Sequence, residues 1–264
     1  MKLNEINFSF GGLHCLRDFG AIYAEKSGHI ISPAITRNEY EIAGMPGSIL
    51  MPGDLPETLT FSGTLYFLDD PPTQAAAQER LRRVAAWLTS GRQRLIFDYE
   101  PLRYYMASVD GAAKWHYSSW IEGGLDIEFT AQPYAYAVKE ATAGATTTGT
   151  SAQLSLTLDT GADAPLGVTI KNTGTAPITG TTISAHGKKA VFSGMNLTQG
   201  NSLTISMEPP IGAAFSDGES ALPYASQFDV LTACKGVQTI TAALTYGSGT
   251  KGAQITAHAR GRWI

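Results

Sequence analysis

Residues 58–91 read TLTFSGTLYFLDDPPTQAAAQERLRRVAAWLTSG, and they combine the two hydrophobic periods found in this part of the chain. Thr58–Phe67 alternates apolar and polar residues, which is typical of a strand with one buried face. Beyond it, apolar residues recur every three or four positions, as on one face of a helix: Ala77, Leu81, Val84 and Leu88. Thr73 is a suitable N-cap, and Gly91 follows the last periodic residue. We predict a strand, then a helix over 73–90 that packs on a sheet.

Strand patterns flank this segment on both sides. Leu3–Phe10 and Ala34–Ile42 precede it. Four strand-like pieces follow the helix in close succession: Arg94–Phe97, Leu102–Val109, Lys114–Ile121 and Gly124–Ala131. Short spacing between strands favours an antiparallel meander. The first part is therefore expected to be mainly β, a β-sandwich or barrel-like domain with one α-helix.

The composition of the chain changes near residue 140. Residues 1–139 hold 28 of the 42 charged residues, and Thr, Ser, Ala and Gly fill most of the deficit that follows. Residues 140–150 contain no large apolar side chain, as expected of a linker. We predict a first domain over 1–139, a linker over 140–150 and a second domain over 151–264.

The second part contains only short strand patterns, separated by Gly, Asn and Pro turns. They are Gln153–Leu158, Gly167–Lys171, Thr181–His186, Ala190–Phe192, Ser202–Met207, Val237–Leu244 and Ala253–Trp263. Repeated short strands without a helical period predict a β-sandwich.

Charge and hydropathy argue against two classes of partner. A net charge of −4 lacks the broad basic surface that sequence-independent nucleic-acid binding requires. No stretch approaches the roughly 18 apolar residues of a membrane span, and the start of the chain lacks the apolar core of a signal peptide. We expect no specific nucleic-acid binding, no membrane insertion, and synthesis in the cytoplasm. Cys15 and Cys234 are expected to be buried free thiols rather than a disulfide or metal ligands.

Motifs for catalysis are missing from the sequence. It contains no GxSxG, HExxH or P-loop. The five histidines lack metal-ligand spacing. Asp98 and Glu100 are the nearest approach to an acid/base pair, but a proline follows them and turn chemistry explains them better. We predict no enzyme, no cofactor and no metal site.

Four segments, taken in order, resemble a known family. They are Phe8–Gly12 (FSFGG) with the strand entry at Pro33, Tyr40–Leu50 (YEIAGMPGSIL), the helix ending in Trp87-Leu88 with Leu95–Ala107 (LIFDYEPLRYYMA), and Leu125–Tyr136 (LDIEFTAQPYAY). Over residues 3–137 the chain resembles the distal tail protein family of long-tailed, non-contractile bacteriophages.

This resemblance implies a scaffold of the phage tail tip or baseplate. The N-terminal domains would close into a homo-hexameric ring that joins the tail tube protein to the tail-associated tip or hub protein. The C-terminal domain, of the galectin-like sandwich type, would face receptor-binding or baseplate proteins. The protein would then belong to the virion, after synthesis in the cytoplasm of the bacterial host.

Two groups of residues are candidates for contacts between subunits. The Gly- and Pro-rich interval 44–58 lies between two strand patterns, and we predict that it projects toward a neighbour through Gly44, Met45, Pro46, Met51 and Pro52. Arg80 and Arg83 lie off the apolar stripe of the helix. They would either pair with an acidic neighbouring surface or form a solvated face.

The alternative function is a carbohydrate-binding module that acts in recognition of the host surface. It would use residues 151–264. Sugar platforms rely on exposed aromatic rings. Tyr224 and Tyr246 are the candidate contacts in this half of the chain.

Overall fold

The computed structural model describes residues 7–25, 32–37, 39–41, 46, 48–50, 55–111, 113–117 and 123–264. Its contacts divide the chain into two units, Met1–Val138 with Ile264, and Lys139–Trp263. Strands dominate both units, so the prediction of a mainly β fold is confirmed.

The first unit is built on one antiparallel sheet. The strands of the unit are β1 (Phe8–Phe10), β2 (Leu13–His14), β3 (Ala21–Glu25), β4 (Ile35–Thr36), β5 (Glu39–Glu41), β6 (Ser48–Leu50), β7 (Leu55–Pro56), β8 (Leu59–Phe67), β9 (Gln93–Phe97), β10 (Arg103–Val109), β11 (Lys114–Tyr117) and β12 (Gly123–Ala137). Of these, β4, β5, β6 and β7 lie outside the main sheet. The helices are α1 (Cys15–Phe19) and α2 (Gln74–Leu88). The sheet order is β2-β1-β9-β10-β12-β8-β3, and β11 also pairs with β12. The predicted strands after the helix are thus neighbours in space.

Helix α2 covers the sheet with the predicted face. The Thr73 hydroxyl accepts a hydrogen bond from the Ala76 N–H at 3.2 Å and caps the helix. The buried side chains of α2 are Ala77, Val84, Trp87 and Leu88. Leu81 is only half-buried, whereas Trp87, outside the predicted stripe, makes the main contact. Its indole N–H donates to the Phe10 carbonyl at 2.8 Å, which fixes the end of the helix over β1.

Aromatic rings fill the core under the helix. The fully buried Phe8 ring stacks on Trp87 with centroids 5.7 Å apart. It also meets Tyr23 and Phe129 edge to face, at 5.2 and 5.1 Å. Such pairs add to the stabilisation from burial by roughly 0.5–1.5 kcal/mol each. The FSFGG segment singled out in the sequence therefore supplies the centre of this core.

The second unit is a β-sandwich. Its strands are β13 (Ala141–Thr147), β14 (Ser151–Leu158), β15 (Ala164–Asn172), β16 (Ile178–Ala185), β17 (Lys188–Leu197), β18 (Ser202–Ser206), β19 (Gly212–Phe215), β20 (Ala225–Phe228), β21 (Thr232–Ala233), β22 (Gly236–Tyr246), β23 (Ala253–Ala259) and β24 (Arg262–Trp263). One sheet has the order β13-β23-β15-β18-β19, with β21 on β15, and the other β14-β22-β16-β17-β20. Buried side chains from both sheets form a single core.

The predicted linker at 140–150 is wrong over most of its length. Ala141–Thr147 is strand β13, paired with β23 from Ala141↔Ala259 to Thr147↔Ala253. Alanines at alternate positions pack against the core: Ala141, Ala143 and Ala145. The period of two was present in the sequence, but the side chains were too small for it to register as hydrophobic alternation.

Gly63 is required by the packing of the first unit. A Cβ atom at this position would lie 2.2 Å from Cε2 of the buried Tyr23. We predict that Gly63→Ala lowers the free energy of unfolding by about 2 kcal/mol, as overpacking of a core does. Gly111→Ala, where nothing lies within 4 Å, is the matched control. Chemical denaturation of both variants measures this, and equal stabilities would contradict the packing argument.

Candidate functional site

Four short strands, β4, β5, β6 and β7, pair outside the main sheet, and we call them the arm. Strand β4 pairs with β7 through Ile35↔Pro56 and Thr36↔Leu55. Strand β5 pairs with β6 from Glu39↔Leu50 to Glu41↔Ser48. The two pairings are antiparallel and nested in sequence, because β5 and β6 lie between β4 and β7. The interval 44–58, which we predict to project toward a neighbour, contains β6 and β7.

The arm is exposed along β4 and β5. Ile35 is 50% exposed and Tyr40 is 63% exposed, although both are apolar residues that a core would normally take up. At the base, the Glu57 N–H donates to the Ala34 carbonyl at 2.8 Å. A two-stranded hairpin without a covering layer is only marginally stable in water. Within the described part of the first unit, the arm thus combines exposed apolar side chains with short strand pairs outside the main sheet.

The predicted interface residues of this region fall mostly outside what is described. Gly44, Met45, Met51 and Pro52 lie beyond the residues that the structure describes. Pro46 is described, and it is an exposed residue between β5 and β6. That these residues contact a neighbouring subunit stays a prediction.

The two candidate arginines of α2 have different surroundings. The Arg80 guanidinium lies 4.1 Å from the centre of the Phe67 ring, and Nη1 donates to the Asp69 carbonyl at 2.8 Å. Its side chain is only 16% exposed. Arg83 is exposed and shares a groove of about 400 Å³ with acidic side chains that include Asp18. Arg80 thus holds its own unit together, whereas Arg83 is available to a partner.

The two carboxylates considered for catalysis have structural partners. Nε2 of His14 lies 3.1 Å from both oxygens of Asp98. Nδ1 of the same ring accepts hydrogen bonds from the Leu16 and Arg17 N–H groups and caps α1. Because Nδ1 accepts, the ring proton is on Nε2, which donates to Asp98. Sequence reasoning placed Asp98 in a turn but missed His14, which is 84 positions away.

Glu100 belongs to the turn that its sequence predicts. Its carboxylate forms a salt bridge with Arg103, three residues ahead. The Glu100 N–H donates to the Phe97 carbonyl at 3.0 Å. Both carboxylates therefore have contacts that account for them structurally, Asp98 with His14 and Glu100 with Arg103.

Metal ligation and thiol reactivity are the other chemistries that side chains among the described residues could offer. No group of three or more His, Cys, Asp or Glu side chains there could hold a metal ion. Cys15 is a buried free thiol, and burial raises its pKa to about 11. Cys234 is also free, but it is partly exposed rather than buried as predicted. No helix in the described part of the chain is long and apolar enough to cross a membrane.

The candidate sugar contacts of the second unit differ in exposure. Tyr224 is 39% exposed, and its ring meets Phe215 edge to face at 5.7 Å. Tyr246 packs against the sandwich core, and burial raises the pKa of its hydroxyl. Only Tyr224 therefore offers a well-exposed ring of the kind a sugar platform needs.

Comparison with known proteins identifies the architecture. No protein-family model and no curated protein sequence matches the chain. A solved structure that does match is SPP1 Dit (gp 19.1), described as a paradigm of the hub adsorption apparatus in phages that infect Gram-positive bacteria. The TM-score is 0.70 over 98% of this chain and 99% of that chain, at 15% identity. This likeness establishes the fold and confirms the distal tail protein architecture expected from the sequence.

Substitution of Arg80 and of Arg83 should have different effects on the stability of the protein. We predict that Arg80→Ala lowers the free energy of unfolding by about 1 kcal/mol, because it removes the contact with Phe67 and the bond to Asp69. Arg83→Ala should change it by less than about 0.5 kcal/mol, as for most surface substitutions. Thermal and urea unfolding of the two variants measures the difference. Equal effects would show that Arg80 is not part of its own unit's framework.

Proposed function

We propose that the chain is a structural protein of a phage tail tip or baseplate. The first unit would form a homo-hexameric ring that joins the tail tube protein to the tip or hub protein. The observation that carries the proposal is the likeness to SPP1 Dit over essentially the whole of both chains. A match that covers both units is stronger support for a shared role than a match to a β-sandwich alone, because many unrelated proteins contain a β-sandwich.

The arm supports assembly through the first unit. A ring closed by rotation needs two different complementary surfaces on each subunit. The arm supplies one of them, with exposed Ile35 and Tyr40 and with pairing strands outside the main sheet. Burying it against a neighbour would cover apolar surface and the free edges of short strands.

The charge of the first part suits a ring through which DNA passes. Residues 1–139 carry 12 basic and 16 acidic residues, a net charge of −4. A negative lumen would not retain the phosphate backbone. The second unit would be displayed for receptor-binding or baseplate proteins, and the protein would reside in the virion.

Mass measurement in solution tests the ring and the role of the arm together. We predict a species of six chains when the protein concentration is raised, seen by mass photometry and by ring-shaped particles in negative stain. The double change Ile35→Ser with Tyr40→Ser should abolish it, because both exposed apolar contacts of the arm are lost. The control is Leu102→Ser, since Leu102 is 75% exposed in the same unit but outside the arm.

Three outcomes would contradict the proposal. They are a monomer at every concentration, a final assembly of another size, and hexamers that form equally well with the substituted arm. Circular dichroism of the variants confirms that any loss of assembly is not a loss of fold.

A further inference from the structure

Two neighbouring segments of the second unit present apolar residues to solvent. One is the turn between β18 and β19, closed by the pair Ser206↔Gly212. The other returns alongside β19, through a bridge between Ala214 and Ser220 and a bond from the Ala221 N–H to the Ala213 carbonyl at 2.8 Å. In that register Leu222 is opposite Gly212. We call the resulting surface the 209–224 patch, formed by Pro209, Pro210, Ile211, Leu222, Pro223 and Tyr224.

The patch is both exposed and rigid. Ile211, Leu222 and Tyr224 are 48%, 42% and 39% exposed, and the three prolines are exposed as well. Proline rings restrict the backbone. The Tyr224 N–H donates to the Ala221 carbonyl at 3.0 Å, and its ring rests against Phe215. A preformed apolar surface loses little conformational entropy when it binds.

Negative charge flanks this surface at both ends. Glu208 directly precedes the prolines, and Asp217 and Glu219 lie in the turn beyond Phe215. All three side chains are exposed, and none of them forms a salt bridge within the described part of the chain. Every charged residue from 190 to 234 is acidic. A second copy of this surface would bring like charges together, which disfavours self-association.

We propose that the 209–224 patch docks another protein whose apolar contact residues are surrounded by lysine and arginine. Apolar burial would supply affinity, and the carboxylates at either end would select and orient the basic rim. The inference rests on the proposed function only in taking that protein to be another component of the tail tip.

The test uses the full chain and three labelled synthetic peptides, measured by fluorescence anisotropy at low and physiological salt. The first peptide has Trp and Leu at its centre and Lys and Arg on both sides. The second replaces the basic residues by Glu, and the third replaces the apolar residues by Ser. We expect only the first to bind well, with affinity that falls as salt rises.

Variants assign the binding to the patch. Ile211→Ser with Leu222→Ser should weaken binding of the first peptide about tenfold, as for loss of a central apolar contact. Val237→Ser is the control, because Val237 is 73% exposed in the same unit but belongs to β22. The double change Glu208→Lys with Glu219→Lys should weaken binding of the first peptide and strengthen binding of the second. Unchanged melting temperatures show that these variants fold.

The proposal is overturned if the patch variant binds the first peptide as tightly as the parent, or if the acidic peptide binds equally well. Two other findings would also overturn it: a dimer that the patch variant abolishes, or binding of oligosaccharides in place of peptide. Ring formation is measured on the same variants. If the ring forms but the peptide does not bind, only the docking proposal for the 209–224 patch fails. If the peptide binds but no ring forms, only the proposed assembly fails.

Discussion

Tyr23 packs directly over Gly63, and the layout of the first unit depends on that close contact between β3 and β8. The two strands pair from Ala21↔Phe67 to Glu25↔Gly63. The chain between them contains the arm, whose two ends pair with each other through Ile35↔Pro56. Tyr23 also reaches Phe8, which stacks on Trp87 and connects this pair to the helix. One buried aromatic cluster thus holds the helix on the sheet and joins it to β3.

The first unit thus combines a buried aromatic core with the arm, whose Ile35 and Tyr40 side chains are exposed. The aromatic rings, the His14 cap of α1 and the contact of Arg80 with Phe67 all lie within the first unit. The arm keeps exposed apolar residues on strands too short to be stable without further contacts. The carboxylates Asp98 and Glu100 contribute to turns and helix capping.

The sequence predicts elements well where side chains are large and periodic. The helix was expected over 73–90 and spans Gln74–Leu88, with the Thr73 cap as predicted. The predicted apolar stripe omits Trp87, although its indole N–H donates to the Phe10 carbonyl and fixes the end of the helix. Strand β13 was missed because alternating alanines carry a weak hydrophobic signal. The His14–Asp98 contact joins residues far apart in sequence, and no local pattern reveals such a pair.

Surface properties were the hardest to foresee from the sequence. Arg80 and Arg83 are three positions apart, and the sequence does not distinguish them. In the structure Arg80 packs on the Phe67 ring, whereas Arg83 is exposed. Tyr224 and Tyr246 also differ in exposure, because Tyr224 is exposed and Tyr246 packs against the sandwich core. The 209–224 patch needs the register between β19 and the returning segment, because its two halves are more than ten residues apart.

The central claim is that the arm is completed by a neighbouring subunit. Hydrogen–deuterium exchange, compared between the dilute chain and the assembled particle, tests it most directly. Assembly should slow amide exchange in β5 and β6 by at least about tenfold, since their opening is then coupled to loss of the interface. Exchange in β14 and β22 of the second unit should stay the same. Unchanged exchange in the arm, with new protection elsewhere in the first unit, would contradict the account.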